Sequence, residues 1–469
     1  MILLSLAILL SACGTATPTA TRFPASPTPK ARITASAELP TQAATLAPPE
    51  QETLNVNPSA LKGTTVEFWH PWSGPTGDAI ESLAAEYNRT NEFGITVEQV
   101  YQGNYNELYA RLDNAFESGV TPALAVAYNY QILAWQGQGR QILDLMPYVG
   151  DPEWGLSEAE QADFYPVFWE QEVVDGVRVG FPALRSGQLL FYNATWAKEL
   201  GFDELLETPA AFKEQACAAS SANSSDGDPD NNGTGGWVVD TSPSGILSWL
   251  YAFGSEPVTA GGDYRFDTRA SRNALAFLKD LYDSGCAWIP QSDIPLAEFA
   301  GRQALFATGS LADLDLQRQA FEQAGNQDDW TVIPFPSSQD EPVIDVYGPS
   351  FILLPGSQVR QLAAWLFVRW LADPQQNAWL VQASGMFPVR AGAQDELDGY
   401  AGAHPQWNQA LALLPYARTE PALASWNTVR WVVGDVGTQV FRSYFTPDRI
   451  PATLELMDST AAELHDRTP

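Results

Sequence analysis

The order of strand-like and helix-like segments between residues 61 and 127 constrains this chain most. Thr64–Trp69 (TTVEFW) alternates and is rich in β-formers. Pro71, Gly74, Pro75 and Gly77 then break the pattern. Asp78–Arg89 places Ala79, Ile80, Leu83, Ala84 and Tyr87 at helical spacing. Ile95–Tyr101 returns to strand, Tyr105–Ser118 puts Leu108, Leu112, Ala115 and Phe116 on one helical face, and Pro122–Ala127 reads as a short buried strand. This β-α-β-α-β order predicts an α/β fold with a mostly parallel sheet and flanking helices. Ligands of such sheets gather at the carboxyl ends of the strands, so the loops after Trp69 and Ala127 are the candidate site loops. Farther on, Pro243–Phe253, Ala270–Ser284 and Leu296–Ala307 have helical patterns, whereas Val332–Pro334 and Ser350–Leu354 look like strands. Gln358–Ala372 is an amphipathic helix ended by Asp373-Pro374, and Pro374–Ala383 starts another.

A chain of 469 residues has room for two to three domains, or two lobes of one large fold. Its 45% hydrophobic and 17% charged content is that of a globular protein. Lys+Arg 25 against Asp+Glu 56 leaves a net charge of -31, which argues against nucleic acid and against broad contact with anionic lipid. Three His and three Cys are little material for a metal site, and no cofactor is expected. Sixteen Trp, sixteen Tyr and twenty-two Phe are many for one chain; most aromatics belong to the core, but Trp in excess often lines sites that stack on sugar rings or other flat apolar faces. No Gly-x-Ser-x-Gly elbow and no phosphate-cradling Gly-rich loop followed by Lys occurs.

The N-terminus carries an address. Met1–Leu10 is apolar but about half the length a membrane-spanning helix needs. Its length is that of a secretion-signal core. Leu10-Ser11-Ala12-Cys13 follows and resembles a bacterial lipobox, so residues 1–13 are expected to be a signal ending in a lipidated Cys13. The pattern departs from the usual one in lacking a preceding Lys or Arg. Residues 14–60 hold 8 Pro, 9 Thr and 10 Ala, with Phe23 the only aromatic, and are expected to be a disordered stalk. A lipid anchor on the outer face of the cell membrane, extracytoplasmic, is the expected location.

With Cys13 lipidated, Cys217 and Cys286 remain, and outside the cytosol they are expected as a disulfide, with two separate buried thiols as the alternative. Asp226–Gly235 (DGDPDNNGTG) lies in a polar loop. Asp228, Asp230 and Asn232 with Gly233 match the first half of a calcium loop, but Val239 stands where a bidentate acid is needed. A solvated Asx-rich turn is the reading and calcium the alternative.

Four stretches carry a resemblance. They are Val66–Gly74 (VEFWHPWSG), Gly180–Ser186 running into Leu190-Phe191-Tyr192-Asn193, Phe299–Phe306 (FAGRQALF), and Gly348–Arg390 ending SGMFPVR. Together with Ala424–Arg430 (ASWNTVR) they resemble the family-1 extracellular solute-binding proteins of ABC importers, the group that includes maltose- and glycerol-phosphate-binding proteins. The resemblance covers nearly all of 61–469. It implies a two-lobed periplasmic-binding-protein-like fold of type II, with lobe 1 at about 61–185 and 347–386, and lobe 2 at about 188–344 and 390–469. Chain crossovers are implied near Arg185–Leu190, Asp345–Gly348 and Met386–Arg390, with the ligand in the cleft.

The implied function is that of a binding lipoprotein, not an enzyme: it captures a carbohydrate by hinge closure and delivers it, as a monomer, to the transmembrane subunits of an ABC permease. A glycerol-phosphate ester is the alternative ligand. A glycoside hydrolase and a sensor-coupled receptor are the alternatives from other classes. The candidate ligand contacts are Trp72 and Ser73 after the first strand, Tyr128 and Asn129 after the third, Arg185 and Ser186 in the first crossover, Trp249 in a helix, Gly348 as a backbone donor, Phe387 in the Gly-Met-Phe-Pro turn, and Trp426, which matches the family's sugar-stacking position.

Overall fold

The computed structural model describes residues 54–203, 206–292, 295–339 and 341–468. The expected signal, Cys13 and most of the expected stalk lie outside the described residues. The stalk's boundary comes earlier than expected. Leu54 N–H donates to Asp151 Oδ2 at 2.7 Å, Leu54 and Val56 pack against the core, and Asn57 caps a 3-10 turn at Pro58–Leu61. The few apolar residues of this stretch are the ones that dock it.

The chain begins as its pattern predicts. β1 (Thr65–His70), α1 (Gly74–Thr90), β2 (Thr96–Tyr101), α2 (Tyr105–Ser118), β3 (Leu124–Ala127) and α3 (Asn129–Gly137) follow in order. β1 runs parallel to β2, with Thr65 opposite Thr96, and parallel to β3, with Phe68 opposite Leu124. The α1 residues that face the core are the five singled out by spacing: Ala79, Ile80, Leu83, Ala84 and Tyr87. α1 starts four residues before the expected Asp78, because Pro75 sits in the first turn, where a backbone N–H has no intrahelical acceptor to lose. Asn104 and Glu107 form a reciprocal capping box on α2.

A short hairpin, β4 (Val173–Val174) and β5 (Val177–Arg178), turns through Asp175 and Gly176, both at positive φ as a type I′ turn requires. β6 (Phe181–Pro182) then edges the first sheet, and β7 (Ser186–Asn193) opens the second. β8 (Gly235–Val238), β9 (Ala287–Trp288), β10 (Ala304–Ser310), β11 (Trp330–Ile333) and β12 (Ile344–Tyr347) stay in the second sheet. β13 (Ser350–Leu353) returns to the first sheet, antiparallel to β3, and β14 (Ala417–Thr419) edges the second beside β12. The sheet orders are β2-β1-β3-β13-β6 and β14-β12-β7-β10-β8-β9, with β11 also on β7.

Each sheet has its own core. Phe68, Trp135, Trp365 and Phe367 fill lobe 1. Trp237, Trp249, Phe212 and Phe306 fill one face of lobe 2, and Phe191, Phe299, Trp330 and Trp407 the other. The expected helix at Leu296–Ala307 stops at Ala300, and Ala304–Ser310 is strand β10. Arg302 makes the break at φ 58, held by Asp328 and Glu199 at 2.6 Å each. β10 is paired on both sides, and an apolar run buried on both faces has no period that separates strand from helix. The helix Pro209–Ser225 is joined to the start of β9 by a Cys217–Cys286 disulfide.

Candidate functional site

The loops after β1 and β3 carry a row of aromatic rings. Trp72 stacks on His70 at 5.6 Å, and its Nε1–H donates to Tyr105 Oη at 2.9 Å. Tyr105 meets Tyr128 at 5.1 Å, and Tyr128 stacks on Tyr130 at 5.4 Å with their planes 9° apart. Burial pushes the Tyr128 hydroxyl up to about 12, so it stays a neutral hydrogen-bonding group. Tyr130 packs into the lobe 2 core although it follows a lobe 1 strand. Its Oη accepts a hydrogen bond from Arg430 Nη1 at 2.5 Å. Arg430 lies on the helix Trp426–Val440 and is held by Glu420 at 3.7 Å. Burial alone would lower the Arg430 pKa, but Glu420 and the facing tyrosines more than offset it. The row therefore ends in a contact between the lobes.

Beside it, at the carboxyl ends of β8, β9 and β10, lies a cavity of about 560 Å³. Gln188, Asp240, Thr308, Asp313, Trp431 and Asp435 bring its polar and aromatic groups. Asp240 accepts Ser242 N–H at 2.8 Å and Ser242 Oγ–H at 2.9 Å. Burial raises its pKa, the Ser242 and Gln188 hydrogen bonds oppose the rise, and Asp313 adds to it. Gln188 Oε1 accepts Tyr347 Oη–H at 2.9 Å, which links the cavity to the strands that lead into the crossovers.

Of the expected contacts, Trp72 and Tyr128 join the aromatic row. Ser73 is exposed at the start of α1. Asn129 is buried, with its Nδ2–H donating to Gln171 O at 3.0 Å and its Oδ1 without a partner among the described residues. The structure places the others differently from the expectation. Arg185 is fully buried against Glu172, Pro349 O and Ser350 Oγ, so both its terminal nitrogens are engaged between the two sheets, while its Nε–H has no partner among the described residues. Ser186 is buried at the start of β7. A Cβ at Gly348 would stand 2.0 Å from Leu184 O, so this glycine serves a close backbone crossing. Phe387 is buried and its N–H donates to Arg185 O at 2.8 Å. Trp249 is core, wedged against Phe212, Trp237 and Phe335. Trp426 has no accessible surface, and its Nε1–H donates to Glu420 Oε2 at 3.0 Å.

Tyr105, Tyr130, Gln188, Tyr347, Glu420, Arg430 and Trp431 were not singled out from the sequence. One signal was available: Trp426, Val429, Val433, Val436 and Val440 share the buried face of their helix, which sends Trp426 inward and leaves Trp431 on another face. Two of the three carboxylates in the 226–235 loop accept hydrogen bonds from within the loop. Asp226 and Asp228 accept the N–H groups of Asp228 and Asp230, and Asn231 Nδ2–H donates to Asp226. Among the described residues no group of three or more His, Cys, Asp or Glu is placed to hold a metal.

Asp345 on β12 is buried with neither carboxylate oxygen hydrogen-bonded among the described residues. Burial holds its pKa well above the usual carboxylate range, nearby Glu420 adds to the rise, and Arg430 opposes it. The fold therefore binds this proton more tightly than the unfolded chain, and stability is lost as pH rises above the ordinary value of 3.8. Asp345→Asn is expected to gain on the wild type in urea unfolding as pH rises above the ordinary carboxylate value, at a limiting slope of about 1.4 kcal/mol per pH unit. A pH-independent difference would refute this account.

A family model described as bacterial extracellular solute-binding protein matches residues 82–414. The chain belongs to this family. In sequence it is 27% identical over 159 residues to the sn-glycerol-3-phosphate-binding periplasmic protein UgpB of Salmonella typhimurium, covering 34% of this chain and 35% of the relative. It is 22% identical over 226 residues to the UgpB of Agrobacterium fabrum, covering 48% and 50%. The match thus spans a third to a half of these curated relatives. In structure it is similar to the sugar-binding protein MalE of Xanthomonas citri, with a TM-score of 0.73, 21% identity and coverage of 86% of this chain and 98% of that one. It is also similar to UgpB of Mycobacterium tuberculosis in complex with glycerophosphocholine, with a TM-score of 0.69, 17% identity and the same coverage. These likenesses confirm the two-lobed fold. The family and its neighbours are binding proteins, not enzymes. Among the described residues no helix is long and apolar enough to cross a membrane.

Proposed function

We propose that this protein is the extracytoplasmic solute-binding component of an ABC importer, held at the outer membrane face by lipid on Cys13, and that it passes a carbohydrate unaltered to a membrane permease. The observation that carries the reading is the aromatic row from Trp72 to Tyr130, which ends on Arg430 of the opposite lobe beside an open cavity. Rings and hydrogen-bonding groups on both lobes suit a ligand that bridges them. Such a ligand favours the closed form only by its differential affinity, and about 5.5 kcal/mol turns a 1:99 mixture into 99:1. The neighbours include a MalE described as sugar-binding, and the Pro/Thr-rich segment after Cys13 would keep the lobes within reach of a permease. A phosphate-ester ligand is the second reading, favoured by the UgpB relatives.

Solution scattering on the full chain tests the mechanism. A sugar found by calorimetry is expected to reduce the radius of gyration, and Arg430→Ala to weaken its binding about tenfold by removing the contact between lobes. Bound sugar with no compaction, or a hydrolysis product released from it, would sink the proposal.

A further inference from the structure

The lobe 2 cavity has a lining that bears on the charge of its ligand. Trp431 is 61% exposed and Ile289 stands at the same cavity, so apolar surface is on offer. The guanidinium of Arg430 lies 5.7 Å from the Trp431 ring and supports it. Gln188 is only 7% exposed. Its Oε1 is taken by Tyr347, while its Nε2 reaches Asp240 at 3.4 Å, which leaves the second N–H of a buried amide without a partner among the described residues. That N–H is available to an acceptor on a ligand that enters the cavity. The carboxylates of Asp240, Asp313 and Asp435 are all present, and no Lys, Arg or His belongs to the described lining. Arg430, the nearest cation on the same helix, is committed to Glu420 and Tyr130.

We propose that this cavity is a subsite for a neutral, hydroxylated ring, with Trp431 as its stacking platform and Gln188 and Asp240 as its hydroxyl partners, and that it turns phosphate esters away. The inference rests on the solute-binding reading above and adds the ligand's charge to it. A pyranose presents a C–H face to the indole and donates hydroxyl protons to a carboxylate. A phosphate there meets three carboxylates and no compensating cation. The exposed Trp431, not the enclosed Trp426, is the ring within reach.

The full chain should be screened by thermal shift against glucose, galactose, xylose, maltose, sucrose and trehalose, and against sn-glycerol 3-phosphate and glycerophosphocholine. At least one sugar is expected to raise the melting temperature, and neither phosphate ester is. By calorimetry, Trp431→Ala is expected to weaken that sugar at least tenfold and Asp240→Asn about fivefold. Tyr444→Ala, which removes an exposed ring that does not line the cavity, is expected to leave affinity unchanged. A phosphate ester that stabilises the protein when no sugar does overturns the charge assignment and leaves solute binding standing. Sugar binding that Trp431→Ala leaves intact overturns the platform. If none of the eight compounds stabilises the protein, this inference and the reading beneath it both fall.

Discussion

Glu172→Ala is expected to destabilise the protein by about 3–5 kcal/mol, the cost of leaving a buried guanidinium without its counter-charge. Arg185 and Glu172 pair with no exposure of either side chain. Arg185 Nη1–H donates to Leu184 O at 2.9 Å and to Pro349 O at 2.6 Å, and Nη2–H to Ser350 Oγ at 3.0 Å. Arg185 O accepts the N–H of Phe387. One residue thus ties together the two chain segments that pass between the sheets and the turn after residue 384. Burial lowers the Arg185 pKa and Glu172 is the first group that works against that, so removing the carboxylate leaves the desolvation largely uncompensated. The double replacement Arg185→Met with Glu172→Met is expected to recover most of the loss, because it removes both charges at once. Chemical denaturation followed by circular dichroism measures both. A Glu172→Ala loss below about 1 kcal/mol, or a double variant worse than the single one, would contradict the account.

The second large effect is expected from the Cys217–Cys286 bridge. The cysteines are 69 residues apart, and the loop they close is worth about 4 kcal/mol in the chain-entropy description. The bridge fastens the helix Pro209–Ser225 to the strand edge at β9, so the weakening should fall on lobe 2. Reducing the intact protein, or replacing both cysteines with Ala, is expected to lower the melting temperature and to increase proteolysis between residues 217 and 286. An unchanged melting temperature under full reduction would refute this. A persistent disulfide also accords with an oxidising compartment, the one expected for an extracellular solute-binding protein.

Much of the architecture was open to reading because it depends on near neighbours. The five core positions of α1 followed from spacing alone, and so did the helix Gln358–Leu371 with its stop before Pro374. Leu296–Ala307 was misread because β10 is buried on both faces and the turn that precedes it depends on Asp328 and Glu199, far away in the chain. Among the candidate contacts, chain position was the easier half: Trp72 and Tyr128 follow the parallel strands β1 and β3. Arg185, Trp249, Phe387 and Trp426 were chosen as ligand contacts, and the structure places all four in hinge or core.

By itself, the amino-acid order determined the strand–helix succession, the two-lobed family fold and the cysteine available for each partner. The succession follows from period and breakers, which act over a few residues, whereas the two-lobed fold follows from the resemblance of the quoted motifs to a known family. Only the tertiary structure decided which aromatic rings form one row, that Arg430 reaches Tyr130 from the other lobe, and that Asp345 lies buried without a hydrogen-bond partner among the described residues. Exposure and electrostatics depend on packing between segments hundreds of residues apart, and no local pattern encodes that distance.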